Sequence, residues 1–161
     1  MKKISFITIL VLAVVFFASC RCGKKVPPAV NGNECAVLGF QYGNNVTAEE
    51  AKDITDIFRI NFRPSKYKET DFGRVDKEVK SRGYKNNVMT KQQICEVGRS
   101  LGAKFVVYGT INKLMDEFSV DVQVVNVSKE TTVAFEGNAF LKSDSRKEIQ
   151  NIARRLATKL E

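Results

Sequence analysis

The feature that most constrains the fold is a strict alternation of apolar and polar side chains in the second half of the chain. Phe118, Val120, Val122 and Val124 alternate with Ser119, Asp121 and Gln123. Because successive side chains of a strand point to opposite faces, this pattern predicts a strand with one buried and one solvated face. A turn over Asn126–Thr131 and a returning strand over Thr132–Leu141 follow it, and the apolar run Lys104–Ile111 precedes it. The three segments predict an antiparallel meander.

Helical patterns occupy much of the remaining chain. Three sequences have the form of a capping box, in which a hydroxyl residue and a Glu or Gln three positions later satisfy the free donors of a helix start: Thr47–Glu50, Thr90–Gln93 and Ser145–Glu148. A shorter helix is predicted over Phe72–Val79 and ends at Gly83. Two further strands are predicted, a buried one over Ala36–Phe40 and a weaker one over Tyr67–Asp71.

The order of these segments predicts an α/β fold. We expect a single-domain sandwich of a mixed β-sheet, about five strands with about four helices, in the order β-α-β-α-α-β-β-β-α. On the last helix, Ile152 and Leu156 belong to the apolar stripe, and we expect them to pack on the sheet face that bears Val106 or Val120.

The amino terminus has the organisation of an export signal. Lys2 and Lys3 precede an apolar stretch, Ile4–Phe17, that is shorter than the ~20 residues a membrane-spanning helix needs. The run Phe17-Ala18-Ser19-Cys20 resembles the lipobox of bacterial lipoproteins, although Phe17 stands where that family usually has leucine. The resemblance implies cleavage before Cys20 and a diacylglycerol on its sulfur. An ordinary signal peptide and an uncleaved anchor are the alternatives.

This reading divides the chain into three parts. Residues 1–19 are the signal peptide, residues 20–34 are the lipidated cysteine and a short tether, and residues 35–161 are the α/β domain. Cleavage removes Lys2 and Lys3, which leaves 24 basic and 18 acidic side chains and a formal net charge of +6. An exported protein does not meet nucleic acid, so anionic headgroups or an acidic envelope polymer are the better partners for this charge. A merely solvated basic surface is the alternative.

Several residue types that catalysis commonly needs are missing from the chain. It contains no histidine, which excludes Ser-His-Asp and Cys-His arrangements and the zinc sites that use His. It contains no phosphate loop, glycine fingerprint or paired-carboxylate motif. We therefore expect no enzyme, no cofactor and no metal. Beyond Cys20, the pairing among Cys22, Cys35 and Cys95 stays open, and buried unbridged cysteines are equally compatible with the sequence.

Three segments resemble one superfamily of envelope proteins. Ala36–Phe40 resembles its opening strand, Glu96–Thr110 resembles its "elgkllGAdyVVtGsv" segment, and Val120–Thr131 resembles its "vrLvdvetG" hairpin. The superfamily contains the TolB amino-terminal domain, the curli secretion-channel lipoprotein (CsgG-like) and the lipoprotein activators of penicillin-binding proteins. The resemblance implies a non-catalytic domain that binds proteins or assembles. No long insertion could supply the membrane-crossing hairpins of the curli channel.

Two functions are compatible with this resemblance. The first is a lipid-anchored module that docks onto an envelope protein and, by analogy, regulates cell-wall synthesis. The second is a structural subunit of an envelope or secretion assembly, which would form homo-oligomers. In either case we expect the protein to face the periplasm, at the outer rather than the inner membrane because Arg21 is not the inner-membrane retention residue Asp.

Two candidate partner-binding regions follow from the sequence. The first is the basic face of the last helix, Arg154, Arg155 and Lys159. The second consists of the loops Gln41–Val46 and Asn86–Met89.

Overall fold

The computed structural model describes residues 32–85 and 88–161. The signal peptide, Cys20, Cys22 and most of the tether lie outside the described residues. The strands are β1 (Glu34–Val37), β2 (Gln41–Tyr42), β3 (Lys68–Glu69), β4 (Phe105–Leu114), β5 (Glu117–Asn126) and β6 (Thr131–Leu141). The helices are α1 (Ala48–Asn61), α2 (Phe72–Ser81), α3 (Lys91–Leu101) and α4 (Ser145–Thr158), and a 3₁₀ turn, Lys142–Asp144, precedes α4.

All the strands belong to one mixed sheet, which confirms the predicted fold class. The order across the sheet is β3-β1-β4-β5-β6, and the two-residue strand β2 also pairs with β4. The pairs β1–β3, β1–β4 and β2–β4 are parallel, whereas β4–β5 and β5–β6 are antiparallel. The predicted meander is therefore present. The strand predicted at Ala36–Phe40 starts earlier and stops at Val37, and β2 was not predicted.

Helices cover both faces of the sheet. On one face, α1 and α4 pack over a core that contains Phe58, Ile152, Leu156 and Val120. On the other face, α2 and α3 pack over a second core that contains Val106. The prediction that Ile152 and Leu156 lie against Val120 is thus confirmed, and the alternative with Val106 is wrong. Val120 pairs with Ile111 of β4, and Val106 is an odd number of residues from Ile111 on that strand, so it faces the opposite side of the sheet.

Local sequence accounts for most helix starts. Thr47 and Thr90 form the predicted capping boxes with Glu50 and Gln93. The third prediction is wrong, since Ser145 is the first helical residue of α4 and not its cap. The 3₁₀ turn leads directly into this helix, and the Ser145 N–H donates to the Lys142 carbonyl instead.

The domain has two opposite ends that matter for function. The basal end lies where β1 begins, and it comprises residues 62–68, 102–104, 127–130 and 159–161. Backbone bonds from Lys68 to Asn33 (2.8 Å), from Lys104 to Glu34 (2.8 Å) and from Val127 to Lys104 (2.9 Å) hold it together. The distal end comprises residues 38–47, 88–90, 113–117 and 141–145. It lies about 30 Å away, the length of the ten-residue strand β4.

Candidate docking surfaces

The basic face of α4 is exposed, but two of its three cations are already paired within the domain. Arg155 Nε donates to one carboxylate oxygen of Glu136 at 2.9 Å, and Lys159 Nζ lies 2.6 Å from the other. Partial burial acts to raise the pKa of Glu136, but the hydrogen bonds from Lys159 and Arg155 outweigh it and lower that pKa. Of these three cations, Arg154 alone has no ion-pair or hydrogen-bond partner among the described residues.

Lys159 has a structural role that helical periodicity does not indicate. β6 is an edge strand, and an edge with free backbone groups can pair with another chain. Lys159 Nζ donates to the Phe135 carbonyl at 2.8 Å, and the Asn138 side-chain oxygen accepts from the Ala139 N–H at 3.0 Å. Both contacts occupy backbone groups of this edge, which protects it against pairing.

The two candidate loops come together at the distal end. Gln41 Nε2 donates to the Met89 carbonyl at 2.8 Å, and Asn45 Nδ2 donates to the Lys113 carbonyl at 3.4 Å. The parallel strands β1, β2 and β4 all run toward this end. Loops that follow the carboxyl ends of parallel strands are where α/β proteins bind their ligands. Asn86 and Asn87 of the second loop lie outside the described residues.

An exposed apolar cluster, which we call the apolar tip, lies at this distal end. Its members are Leu114, Met115 and Leu141, with exposed fractions of 72%, 88% and 56%. Leu114 and Leu141 both lie opposite Glu117 in the sheet register, so their side chains share one face. Clustered exposed apolar side chains are typical of interaction sites.

Met115 is the least expected member of the apolar tip. Its φ of 55° places it in the left-handed region of a hairpin turn, where Gly, Asn or Asp is the usual residue. The side chain is 88% exposed, so packing does not explain it either. A methionine that neither the turn nor the core requires is therefore a candidate contact residue. No periodic sequence pattern indicated it.

A carboxylate network supports the base of the apolar tip. Glu50, the acidic member of the capping box of α1, accepts hydrogen bonds from Lys113 Nζ at 2.7 Å, from the Thr47 N–H at 3.0 Å and from Lys142 Nζ at 3.4 Å. These bonds, above all the one from Lys113, lower the pKa of Glu50 to about 2. Because Lys113 and Lys142 flank the tip residues in sequence, the network fixes the hairpin and the end of β6 against α1.

A shallow cleft of ≈ 330 Å³ lies between α1 and α2, next to the loop after β1. Both of its carboxylates are paired: Asp56 with Lys52 at 2.7 Å, and Asp76 with Arg59 at 2.9 Å. Arg59 is buried, lies over the Phe72 ring and also donates to the Val37 carbonyl at 3.0 Å. It thus joins α1, α2 and β1. Among the described residues that line the cleft, every carboxylate is therefore paired.

The two described cysteines are far from forming a bridge. Cys35 is buried in the core under α1 and α4, whereas Cys95 is buried on α3 at the opposite face of the sheet. Burial raises the pKa of both thiols. A Cys35–Cys95 disulfide, one of the open alternatives, is therefore wrong. Within residues 32–85 and 88–161 there is no cluster of metal-ligating side chains. Nor is any helix of that part long and apolar enough to cross a bilayer.

Comparisons with known proteins identify the fold. No protein-family model matches the chain, and no curated protein sequence matches it. Solved structures do match. The C-terminal domain of LpoB from Salmonella enterica superposes with a TM-score of 0.51 at 14% identity, over 69% of this chain and 84% of that one. Lipoprotein GNA1162 from Neisseria meningitidis superposes with a TM-score of 0.52 at 11% identity, over 80% of this chain and 99% of that one.

A longer LpoB structure, from a second organism, superposes equally well. The NMR structure of Escherichia coli LpoB has a TM-score of 0.54 at 16% identity, over 67% of this chain but only 56% of that one. At these identities the likeness shows a shared fold. That fold occurs in bacterial lipoproteins, as the sequence resemblance implies, whereas the likeness to the curli channel stays a prediction.

Proposed function

We propose that the chain is a lipid-anchored lipoprotein of the cell envelope whose α/β domain is a non-catalytic module that docks onto an envelope protein. The observation that carries the proposal is the apolar tip at the distal end. Leu114, Met115 and Leu141 lie opposite the end from which the chain leads back to Cys20. A partner can therefore reach them while the basal end stays near the membrane. The fold that the chain shares with LpoB and GNA1162 supports an envelope location.

The finer part of the proposal concerns the partner. By analogy with the activators of penicillin-binding proteins, we propose a periplasmic domain of a cell-wall synthase as the partner, and regulation of that enzyme as the outcome. The apolar tip requires a complementary apolar patch on that partner. Arg154, with its free charge, adds a second contact on α4, whereas Arg155 and Lys159 stay engaged with Glu136.

Substitution of the apolar tip tests this proposal. The double variant Leu114→Asp/Met115→Asp should lose at least tenfold in affinity for the envelope protein that the wild type retains, because each change places a charge in an apolar contact. The fold should tolerate it, since both side chains are exposed. Ile60→Asp is the matched control, because Ile60 is 63% exposed but lies near the basal end. Affinity can be measured by titration with the retained protein after its identification.

The outcome also distinguishes the second function. A subunit of a homo-oligomer should self-associate, and the same tip variant should then change the mass in solution measured by light scattering. If the tip variant still binds the partner and Arg154→Glu does not, the docking surface lies on α4 and not at the apolar tip. An equal loss of affinity in the tip variant and in Ile60→Asp would show that docking does not depend on the distal end.

A further inference from the structure

Four lysines without acidic partners lie at the basal end. Lys66 lies in the loop between α1 and β3, and Lys68 is the first residue of β3. Lys129 lies in the turn between β5 and β6. All three are exposed, and none has a carboxylate within ion-pair distance among the described residues. Lys104, between them, donates to the Tyr67 hydroxyl at 3.2 Å and also has no carboxylate partner.

The acidic side chains at this end do not balance these lysines. Glu69 and Glu130 are each paired with an arginine, Arg63 and Arg99. Glu161 accepts a hydrogen bond from Ser65 at 3.3 Å, and Glu34, the first residue of β1, lies 3.7 Å from Arg74. Three carboxylates at this end, Glu34, Glu69 and Glu130, therefore pair with arginines. The lysines Lys66, Lys68, Lys104 and Lys129 are left without a carboxylate partner among the described residues.

The position of these lysines is as informative as their charge. β1 begins at Glu34, so the chain enters the domain at the basal end. Only 13 residues, 21–33, separate Cys20 from this strand, a span of at most about 50 Å. Two further lysines, Lys24 and Lys25, belong to that short segment. Ile60, 63% exposed on the last turn of α1, adds an apolar side chain on the same side.

We propose that the basal end docks onto the anionic lipid headgroups of the membrane that holds the anchor, through Lys66, Lys68, Lys104 and Lys129. This inference rests on the proposed lipid anchor, because the anchor places the basal end next to the membrane. Each lysine near an anionic surface contributes about 1 kcal/mol, which corresponds to about a fivefold change in binding. The contact fixes the orientation of the domain and points the apolar tip away from the membrane.

Vesicle binding tests this without the anchor. The protein is the chain from residue 20 onward with Cys20→Ser, so no acyl chain contributes. The wild-type form should bind vesicles that contain phosphatidylglycerol, and it should not bind vesicles of phosphatidylcholine alone. The triple variant Lys66→Gln/Lys68→Gln/Lys129→Gln should lower the partition coefficient on the order of 100-fold, and the loss should shrink as salt rises.

A second triple variant separates position from net charge. Lys77, Lys80 and Lys147 are exposed, lack carboxylate partners among the described residues and lie away from the basal end. Lys77→Gln/Lys80→Gln/Lys147→Gln removes the same charge and should lower binding less than about threefold, because screening at 0.15 M salt confines each charge to about 8 Å.

The results either support or overturn the proposal. Equal losses in the two triples, or no loss in the basal triple, would show that binding does not use this end. Absence of wild-type binding to anionic vesicles would overturn the proposal outright. The proposed docking function would survive each of these outcomes, since loss of affinity in the tip variant is measured with the soluble partner and without lipid.

Discussion

Glu50 joins three segments that lie far apart in the sequence. It closes the capping box of α1 and receives Lys113 from the β4–β5 hairpin and Lys142 from the end of β6. Its pKa of about 2 in the folded protein lies below the ordinary value of 4.5. The carboxyl therefore stabilises the fold above about pH 4.5, and this stabilisation is lost as the pH falls toward 2.

The first prediction concerns Glu50→Gln. The amide can still accept the hydrogen bond of the capping box, but it cannot pair with the two lysines. We expect the variant to be less stable than the wild type by about 1 kcal/mol at pH 7, because a hydrogen bond to a charged group stabilises a fold more than one to a neutral group. The expected loss is small because Glu50 and the lysines are partly exposed, and solvent weakens their ion pairs. The difference should diminish between pH 4.5 and pH 2. Urea unfolding at pH 7, 4 and 2.5 measures it.

The control is Glu49→Gln, which removes the exposed neighbouring carboxylate and should have little effect at any of these pH values. A stability difference for Glu50→Gln that stays constant with pH would contradict the electrostatic explanation and indicate a capping defect.

Residue roles of this kind are poorly predicted from sequence. The capping box at Thr47 was predicted because it is local, whereas the partners of Glu50 lie 63 and 92 residues away. The same limit applies to Arg155 and Lys159, which helical spacing placed on a solvated face. Their partner Glu136 lies on β6, 19 residues from Arg155. Helical periodicity predicts which side of a helix is polar, and the tertiary fold decides whether its charges are free.

At the scale of elements, the sequence predicts more. Alternation predicted β5 closely, because one face of this strand is solvated, and the turn after it predicted β6 as its hairpin partner. The strands β2 and β3 have two residues each, too few for any periodicity to indicate. The predicted end of the first strand, at Phe40, was wrong for a related reason. Ala36–Phe40 is a continuous apolar run, and the side-chain pattern of such a run does not indicate where the strand ends.

Packing of α3 against the sheet explains Gly98, a glycine in the Glu96–Thr110 segment that resembles the superfamily. Gly98 lies on the face of α3 that contacts β4 and the residue after β5. A Cβ placed there would lie 2.6 Å from a methyl of Val106 and 2.7 Å from a methyl of Val127. Both valines are fully buried and branched at Cβ, so they have little freedom to move. The glycine allows the helix to approach the sheet closely.

The second prediction is therefore that Gly98→Ala destabilises the domain. Alanine gains about 1 kcal/mol in helix propensity, but overpacking a buried site costs about 1–3 kcal/mol, and here two rigid neighbours must move. We expect a net loss of about 1–2 kcal/mol in urea unfolding. Gly73→Ala on α2 is the matched control, because its nearest contact is the Asp71 side chain at 3.3 Å and the position is exposed. A stabilised Gly98→Ala variant would show that α3 can shift.

At the scale of the whole molecule, the fold separates two kinds of surface. Lys66, Lys68, Lys104 and Lys129, which have no carboxylate partner among the described residues, lie at the basal end. The apolar tip lies at the distal end, about 30 Å away along β4. The proposed anchor at Cys20, with a tether of at most about 50 Å, would place the apolar tip within about 80 Å of the membrane. A partner anchored in the opposite membrane would then have to extend toward this one.

This architecture depends on the anchor, and the last prediction concerns it. We expect Cys20→Ala to leave the precursor uncleaved, because the lipoprotein peptidase acts on the chain only after the cysteine sulfur carries its lipid. Cys22→Ala, two residues further on, is the matched control and should be processed normally. In the wild type, intact mass spectrometry should give a chain that begins at Cys20 and carries two or three acyl chains. One acyl chain binds a membrane only marginally, whereas two or more hold it stably, so the number of chains decides whether the domain stays at the surface. An unmodified amino terminus at any residue would contradict the prediction, and the domain would then be a freely diffusing binding module.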